Sequence, residues 1–327
     1  MTSARGAIVT GGAGFIGSHI VDELLRRGVE TTVIDKFTTG SMENLRRHEG
    51  NALLHVVAGD VMQIKQLLGN TDGIGTVFHE AAIANVLMSV RDPMLVHDVN
   101  VTATLEVMNF CVDRRIGKFI FASSAAAYGV VDIPPASEDM VCHPQSPYGA
   151  SKLAVEGYLS AYRRTYGLET TALRYFNAYG PRQRSDDYSG VITVFTNNLL
   201  LGKTPAVYGD GLQTRDFVNV KDIVQANMLA MESDAAAGGV FNVASGVSTS
   251  VLQLLETLKA ATGASDAEPR FAPPRPGDVR EGSASIARIR EVLGYRPSVD
   301  PTVGLSEVVD YIRNANAVAA SAPSPAV

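Results

Sequence analysis

Cysteine, basic charge and long apolar runs are all scarce in this chain of 327 residues. The two cysteines, Cys111 and Cys142, lack metal-ligand spacing, so we expect no metal and two free thiols in a reducing, cytoplasmic compartment. A formal net charge of −6 argues against a nucleic-acid partner, which would need a basic face. No apolar run could span a membrane, and a strand predicted by Ala7 leaves no room for a signal peptide.

Strand and helix patterns alternate through the first half of the chain. Short apolar runs predict strands at 7–9, 32–34, 53–57, 76–78 and 118–122, and helical periodicity predicts helices at 16–27, 93–114 and 147–166. Pro93 and Pro147 stand in the first turns of their helices, where a missing N–H does no harm. The alternation predicts an α/β fold, a Rossmann-type doubly wound parallel sheet with helices on both faces.

The second half of the chain has a less regular pattern. It predicts strands at 206–208 and 240–242, helices at 191–201, 250–261 and 285–293, and a proline-rich loop at 271–277. We therefore expect a Rossmann-type domain at 1–176 and a smaller mixed α/β domain at 177–316, with some segments of the second returning to the first. Residues 317–327 are uncharged and rich in alanine, serine and proline, which predicts a disordered tail.

A glycine-rich turn joins the first predicted strand to the first helix. Gly11 permits a tight turn, Gly14 lets the backbone approach a pyrophosphate, and Gly17 lets the helix pack closely on the strand. The helix directs free N–H groups and its positive dipole end at the phosphates. Asp35, eighteen residues after Gly17, can bind a ribose and would repel a 2′-phosphate, which favours NAD over NADP. The alternative is a glycine-rich turn beside a surface aspartate.

The pentad at 148–152 carries the catalytic prediction. Tyr148 and Lys152 are four residues apart, so they are neighbours on one helix face. A phenol is a poor base at neutral pH, but a nearby ammonium and a positive nicotinamide ring would lower its pKa. Ser123 and Ser124 follow a predicted strand, at the edge where α/β sheets bind ligands, so a hydroxyl there can contact the substrate. An ordinary exposed Tyr/Lys pair beside a serine turn is the alternative.

These motifs resemble the extended short-chain dehydrogenase/reductase family, and within it the UDP-glucose 4-epimerases and related UDP-sugar 4-epimerases. The similarity rests on residues 10–17, 121–129 and 147–152 and extends from residue 6 to about residue 312. The resemblance implies that Ser124, Tyr148 and Lys152 are catalytic. It implies that NAD is bound by Gly11, Gly14, Phe15, Ile16, Gly17, Asp35, Lys36, Gly40, Asp60, Val61, Ala81, Ala82, Asn100, Tyr148, Lys152 and Tyr175.

The same resemblance places a nucleotide-sugar site largely in the second half. The substrate residues that it implies are Ser123, Ser124, Asn177, Val191, Tyr208, Gln213, Arg215, Arg275, Asp278 and Gly282. Arg215 and Arg275 suit phosphate because a planar guanidinium can bond two oxygens at once, although either could be a solvated surface charge. In the family, a bulky residue matching Gly282 restricts the space around the sugar's 2-substituent. We therefore expect an open wall here and tolerance of an N-acetyl group.

Ala125 and Ala126 distinguish among the reactions of the family. Dehydratases carry an Asp-Glu pair at these positions and decarboxylating relatives a glutamate matching Ala126, whereas methyl groups cannot move protons. The resemblance therefore implies NAD-dependent epimerisation at C4 of UDP-glucose or UDP-galactose, by a homodimer that pairs the helices at 93–114 and 147–166. UDP-N-acetylglucosamine and UDP-glucuronate, whose carboxylate could meet Arg184, are alternative substrates. A non-catalytic regulatory protein that binds NAD or a UDP-sugar is the alternative from another class.

Overall fold

The computed structural model describes residues 6–69, 72–184, 190–274 and 280–321. Its strands are β1 (Gly6–Thr10), β2 (Thr31–Asp35), β3 (Leu54–Ala58), β4 (Ile74–His79), β5 (Lys118–Ser124), β6 (Glu169–Tyr175), β7 (Asn177–Tyr179), β8 (Ala206–Tyr208), β9 (Thr214–Asn219), β10 (Val240–Val243), β11 (Ser248–Ser250), β12 (Arg270–Ala272) and β13 (Glu281–Gly282). Its helices are α1 (Phe15–Arg26), α2 (Ile64–Leu68), α3 (Val86–Arg91), α4 (Pro93–His97), α5 (Ala103–Asp113), α6 (Pro147–Tyr166), α7 (Val191–Leu200), α8 (Val220–Glu232), α9 (Val251–Thr262), α10 (Ala287–Leu293) and α11 (Pro301–Ser321).

Seven parallel strands form the central sheet, in the order β10-β6-β5-β4-β1-β2-β3. Every residue of β1 and β2 is buried, as expected for strands covered by helices on both faces. The strand order reverses at β1, which pairs with β2 on one side and β4 on the other. The predicted Rossmann-type fold is confirmed, and the crevice at the carboxyl ends of β1 and β4 is where such sheets bind ligands.

Two apolar clusters cover the two faces of this sheet. On one face, Leu24 of α1 and Ile223 of α8 are fully buried in one cluster with residues of the strands. On the other, Val107 of α5 and Val155 of α6 are equally buried in a second cluster. Helices thus cover both faces of the sheet. The first turn of α6 packs against the turn that follows β5.

The smaller part of the molecule is built on β9. Strands β11, β13 and β7 all pair with β9, while β12 pairs with β8 in a separate two-stranded sheet. Helices α7, α9 and α11 pack together around buried side chains that include Phe195, Leu254 and Val308. Ser250 and Gln253 cap α9 reciprocally, which fixes where this helix begins.

One later segment returns to the central sheet. β10 pairs in parallel with β6, with Val240 opposite Ala172 and Val243 opposite Tyr175. The chain therefore completes the large sheet only after it has passed through β7, β8 and β9 of the smaller part.

Several segments differ from the sequence-based expectation. The predicted helix at 93–114 is helical from residue 93 to 113 but contains a π-helical turn at Asp98–Thr102. Phe271 and Ala272, predicted as loop, form part of β12 because they pair with β8. Residues 317–321, predicted as disordered, belong to α11, in keeping with the high helix propensity of alanine. The rest of the predicted tail lies outside the described residues.

Candidate functional site

The glycine turn between β1 and α1 lies where the strand order reverses. Gly11 has a φ of 66°, a left-handed conformation that favours glycine. A Cβ at Gly17 would lie 2.3 Å from the Gly11 carbonyl oxygen, so only glycine lets α1 begin this close to the turn. Gly14 is the N-cap of α1, and no side chain in the described residues caps this helix. The N–H groups of its first turn, at Phe15 and Ile16, are therefore suited to an anion.

Asp35, at the end of β2, holds this turn from one side. Its Oδ2 accepts the N–H of Ala13 at 3.0 Å, and its Oδ1 accepts the N–H of Phe37 at 2.7 Å. A Cβ at Gly40 would lie 2.8 Å from each carboxylate oxygen, so glycine leaves the carboxylate its space. An ionised carboxylate can accept about four hydrogen bonds, which leaves acceptor capacity for the predicted ribose contact.

Lys36 and Asp60 lie side by side at the ends of β2 and β3. Their charged groups form an ion pair of 2.8 Å between Lys36 Nζ and Asp60 Oδ2. Asp60 Oδ1 also accepts the N–H of Met62 at 3.0 Å, which caps the short helical turn that begins at Val61. The residues predicted for the adenosine end of the cofactor thus come together around Asp35.

Ala81 and Ala82 follow β4 and pass beside the glycine turn, since a Cβ at Gly11 would lie 2.8 Å from the Ala81 nitrogen. Asn100 fixes the end of this segment from the π-helical turn. Its Oδ1 accepts the Ile83 N–H at 2.8 Å. Its Nδ2 donates to the Ile83 carbonyl and to Ser151 Oγ of α6, both at 3.1 Å. Asn100 is buried and bonded to protein groups, and these bonds hold Ile83 at the end of the 81–83 segment.

Tyr148 and Ser124 come together because the start of α6 packs against the turn after β5. Ser146 caps α6 by accepting the Gly149 N–H at 3.1 Å. A Cβ at Gly149 would lie 2.3 Å from the Ala126 carbonyl oxygen, so glycine permits this close approach. Ser124 Oγ accepts the Ala126 N–H at 3.1 Å, and its hydroxyl interacts with the phenol of Tyr148.

Lys152 lies one helical turn after Tyr148 on the same face of α6, as predicted. Its Nζ is buried, donates to the Ala122 carbonyl at 2.8 Å, and lies 5.9 Å from the centroid of the Tyr148 ring. The ring of Phe121 lies 4.7 Å from the same nitrogen. The ammonium is therefore held in place by β5, next to the phenol.

Burial dominates the ionisation of both groups. It raises the pKa of Tyr148, while Ser124 lowers that pKa and Glu80 raises it further. It lowers the pKa of Lys152 to about 8, against the carboxylates of Glu80 and Glu156, which raise it. Desolvation of the phenol thus outweighs the hydrogen bond from Ser124 within the protein, and the lowering of the Tyr148 pKa by Lys152 together with a nicotinamide ring stays a prediction.

The two neighbouring serines point to different environments. Ser123 Oγ donates to Glu156 Oε1 at 2.5 Å. Glu156 also forms a buried, two-pronged ion pair with Arg174, at 2.9 and 2.6 Å. Successive side chains of a strand alternate between faces, so Ser124 faces the tyrosine while Ser123 joins this ion pair. The structure therefore does not bring the Ser123 hydroxyl to the predicted substrate position.

Glu80 directly precedes Ala81 and Ala82 but is not among the predicted site residues, and the structure places it next to them. It directly follows β4, and its Oε1 accepts the phenolic proton of Tyr175 at 2.8 Å. Asn227 Nδ2 donates to the same phenolic oxygen at 2.8 Å. Burial raises the pKa of Glu80 to about 7, while Tyr175 and Lys152 lower it. The available signal was an acidic residue at the carboxyl end of an apolar strand, where this fold places ligands.

Five of the ten predicted substrate residues lie on or next to β9. Gln213 Nε2 donates to the Tyr208 carbonyl at 2.9 Å, and Gly282 pairs with Arg215 between β13 and β9. Asn177 is exposed at the start of β7, and its Nδ2 donates to a backbone carbonyl of β9 at 2.9 Å. The chain thus assembles one polar wall from β7, β8, β9 and β13.

Three other predicted substrate residues have different outcomes. Val191 is the first residue of α7. Arg275 and Asp278 lie outside the described residues, as does the 185–189 segment that precedes Gly190. A Cβ at Gly282 would lie 3.1 Å from Arg215 Cδ, so this glycine packs against the arginine, and the open wall expected beside the sugar stays a prediction.

Neither cysteine is paired: Cys111 is buried and Cys142 is half-buried. The described residues contain no group of three or more His, Cys, Asp and Glu side chains that could hold a metal ion. Over the same ranges, no helix combines the length and apolarity needed to cross a membrane.

Comparison with known proteins gives a consistent family. The profile of the NAD dependent epimerase/dehydratase family matches residues 7–244. The chain is 39% identical over 310 residues to a UDP-glucose 4-epimerase from Mycolicibacterium smegmatis, which covers 94% of this chain and 98% of that protein.

Two solved structures are similar over nearly the whole fold. A UDP-glucose 4-epimerase from Thermotoga maritima, solved with UDP-glucose, is 39% identical with a TM-score of 0.89 and covers 95% of this chain and 99% of its own. A UDP-N-acetylglucosamine 4-epimerase from Methanobrevibacter ruminantium, solved with UDP-N-acetylmuramic acid, is 38% identical with a TM-score of 0.90 over the same shares of the two chains.

Proposed function

Because the chain belongs to the NAD dependent epimerase/dehydratase family, we propose that it epimerises C4 of a UDP-hexose, with UDP-glucose and UDP-galactose as its substrate pair. One observation carries the proposal. Ser124, Tyr148 and Lys152 lie together at the carboxyl edge of the sheet, while alanines occupy positions 125 and 126. Such a site can move a proton at O4 but has no acid or base at 125–126 with which to eliminate water.

The residues around the glycine turn fit a dinucleotide. Gly11, Gly14 and Gly17 leave the backbone at the start of α1 uncovered by side chains, and Asp35 retains acceptor capacity for ribose hydroxyls. Ala81 and Ala82 border the same crevice with small side chains. When bound, NAD supplies the acceptor, and in its reduced form the donor, for the hydride of C4.

The protein's own groups manage the proton and the geometry. Tyr148 takes the O4 proton as the sugar is oxidised and returns it after the 4-keto sugar has turned about its bond to the diphosphate. Ser124 contacts the same oxygen and steadies the shared proton. Lys152, held at the Ala122 carbonyl, stabilises the phenolate. Arg215 binds the diphosphate through charge-assisted hydrogen bonds, so that the UDP stays bound while the hexose turns.

UDP-N-acetylglucosamine is a second candidate substrate. The M. ruminantium enzyme that is named for this sugar is 38% identical to the chain, against 39% for the T. maritima enzyme solved with UDP-glucose. Because the two identities are nearly equal, the experiment that tests the proposed reaction should include UDP-N-acetylglucosamine as a substrate.

Incubation of the purified protein with UDP-galactose, UDP-glucose and UDP-N-acetylglucosamine, followed by product analysis, tests the proposed reaction. We expect interconversion at C4 without added NAD and without net NADH, because the hydride returns to the sugar that gave it. Steady accumulation of NADH would identify a dehydrogenase instead. Binding of a UDP-sugar without any turnover would favour a regulatory protein.

We also propose that the enzyme is a homodimer, in which the helices predicted at 93–114 and 147–166, together with the neighbouring α3, form the subunit contact. The proposed contact, here called the α3–α6 face, carries exposed apolar side chains, among them Leu87 (59% exposed), Val90 (63%), Met94 (67%) and Tyr158 (43%). Helices α3 and α4 each pack against α6, so these side chains belong to neighbouring elements. Apolar surface of this kind is what a second copy of the chain would bury across a two-fold axis.

A further inference from the structure

We propose that Glu80 is a positioning residue of this site, whose carboxylate, held by Tyr175, sets the charge balance of Tyr148 and Lys152. The proposal rests on the proposed function only in taking Tyr148 as the base. Glu80 has no place in the proton transfers described above, yet it lies at the carboxyl end of β4, between the glycine turn and α6.

Hydrogen bonds from two other elements fix the position of Glu80. Its backbone N–H donates to the Thr10 carbonyl at 3.1 Å, which ties it to the end of β1. Its Oε1 accepts from Tyr175 of β6, and Asn227 of α8 donates to that phenol, both at 2.8 Å. Asn227 Nδ2 in turn also donates to the Ile223 carbonyl at 2.9 Å. The backbone of Glu80 is thus tied to β1, and its carboxylate is held by a phenol of β6 that α8 positions in turn.

Strand pairing brings Lys152 close to Glu80: His79 pairs with Phe121, so Glu80 comes beside Ala122, whose carbonyl accepts from Lys152 Nζ at 2.8 Å. Within the described residues, the groups that interact electrostatically with Glu80 are Tyr148 and Lys152 of α6 and Tyr175 of β6. Its neighbour His79 on β4 is bonded between two threonine hydroxyls, and burial lowers the pKa of His79 to about 3, so that this ring is neutral. Among these groups, Lys152 is thus the cation that the Glu80 carboxylate attracts. Tyr148 is the acid whose ionisation the carboxylate disfavours.

The sign of the effect follows from the charge. A carboxylate at position 80 attracts the ammonium of Lys152 and repels the phenolate of Tyr148, so it raises the pKa of both groups. Removing that charge while keeping the side-chain shape should therefore lower both pKa values. Burial raises the pKa of Glu80 itself to about 7, so its charge changes within the range in which the enzyme would work.

Glu80→Gln in the cofactor-loaded protein is the test, because glutamine is nearly isosteric and can still accept from Tyr175. Tyrosinate absorbance during a pH titration, with the titration of Tyr148→Phe subtracted, isolates Tyr148 among the 11 tyrosines. We expect the midpoint of Tyr148 to move to lower pH by about half a unit or more. In the pH dependence of kcat, the acid and alkaline limbs should both move to lower pH. Failure of the proposed reaction would leave the absorbance titration intact.

Two further variants separate charge from structure. Glu80→Asp keeps the negative charge, so its Tyr148 midpoint should stay near that of the unmodified protein. Glu43→Gln removes the same charge from a side chain that is 69% exposed, and it should leave the midpoint unmoved. An unmoved or raised midpoint in Glu80→Gln, or an equal downward shift in Glu80→Asp, would overturn the proposal.

Discussion

Gly282 lies opposite Arg215 where β13 pairs with β9, so close that a Cβ on residue 282 would lie 3.1 Å from Arg215 Cδ. The same atom would lie 3.0 Å from the Thr214 carbonyl oxygen. Because residue 282 has no side chain, the Arg215 side chain can occupy this space. In the proposed site that arginine holds diphosphate, which is common to every UDP-sugar. Substitution here should therefore affect all substrates, whatever their 2-substituent.

We predict that Gly282→Tyr weakens the binding of UDP itself by at least about tenfold, or about 1.4 kcal/mol, because it displaces Arg215. Calorimetric titration with UDP measures this loss directly. Gly282→Ala should cause a smaller loss in the same direction. If Gly282→Tyr instead kept UDP affinity and lost activity only on UDP-N-acetylglucosamine, the residue would form the sugar wall after all.

Tyr148→Phe removes the proposed base and keeps the ring. The rate of epimerisation should fall by about 10²–10⁴-fold, the usual contribution of general acid–base catalysis. Binding of NAD and UDP should remain within a few-fold, since the packing of α6 against the turn at Ala126 is retained. Turnover and equilibrium dialysis measure the two quantities. A fall in rate of less than about tenfold would exclude Tyr148 as the base.

The activity should fall on the alkaline side as Lys152 loses its proton. Burial lowers the pKa of Lys152 from 10.5 to about 8, so the ammonium is present below about pH 8 and is lost above it. The expected pH profile of kcat declines with a midpoint near pH 8. Lys152→Met should be slow at every pH and should lack this decline. An identical decline in Lys152→Met would assign it to another group.

Asp35→Ala should weaken NAD binding by about tenfold or more and narrow the preference for NAD over NADP, because it removes both a ribose acceptor and a charge that repels a 2′-phosphate. It also releases the N–H groups of Ala13 and Phe37. Dissociation constants for the two cofactors are the measurement, with Glu43→Ala as a control that removes an exposed charge. An unchanged preference would show that Asp35 holds the turn without reading the ribose.

Met94→Glu should dissociate the proposed dimer, since it places a charge in an apolar contact. Light scattering of the purified protein should report a change from dimer to monomer mass. Met42→Glu offers a matched control: Met42 is 54% exposed and lies outside the α3–α6 face. Equal masses for both variants would locate the subunit contact elsewhere.

The parts of the site that the sequence predicted are those set by local spacing. Gly11, Gly14 and Gly17 must lie in one turn, and Tyr148 and Lys152 must share a helix face, whatever surrounds them. The strands β1 to β5 and the long helices of the first half followed from apolar periodicity for the same reason, whereas the short helices α2 and α3 were not predicted. These predictions needed no knowledge of contacts between distant segments.

What escaped prediction depends on long-range contacts. Ser123 and Ser124 are adjacent residues of the same type, so the sequence does not distinguish them. Only the structure shows that the Ser123 hydroxyl donates to Glu156 in its buried ion pair with Arg174. β6 was not recognised as a strand, since Glu169–Tyr175 contains two threonines, a glutamate and an arginine. Its residues after Glu169 are buried because β5 and β10 pair with it and because α6 and α8 pack against it, and contacts of this kind leave no local pattern.

The return of β10 to the central sheet has a consequence for how the chain can be cut. β10 occupies the outer side of β6, so a fragment ending at residue 176 would lose its outermost strand and present a row of unpaired N–H and C=O groups along β6. Such an edge is a template for association with other chains. A fragment that keeps the seven-stranded sheet whole must therefore extend at least to Val243, the last residue of β10.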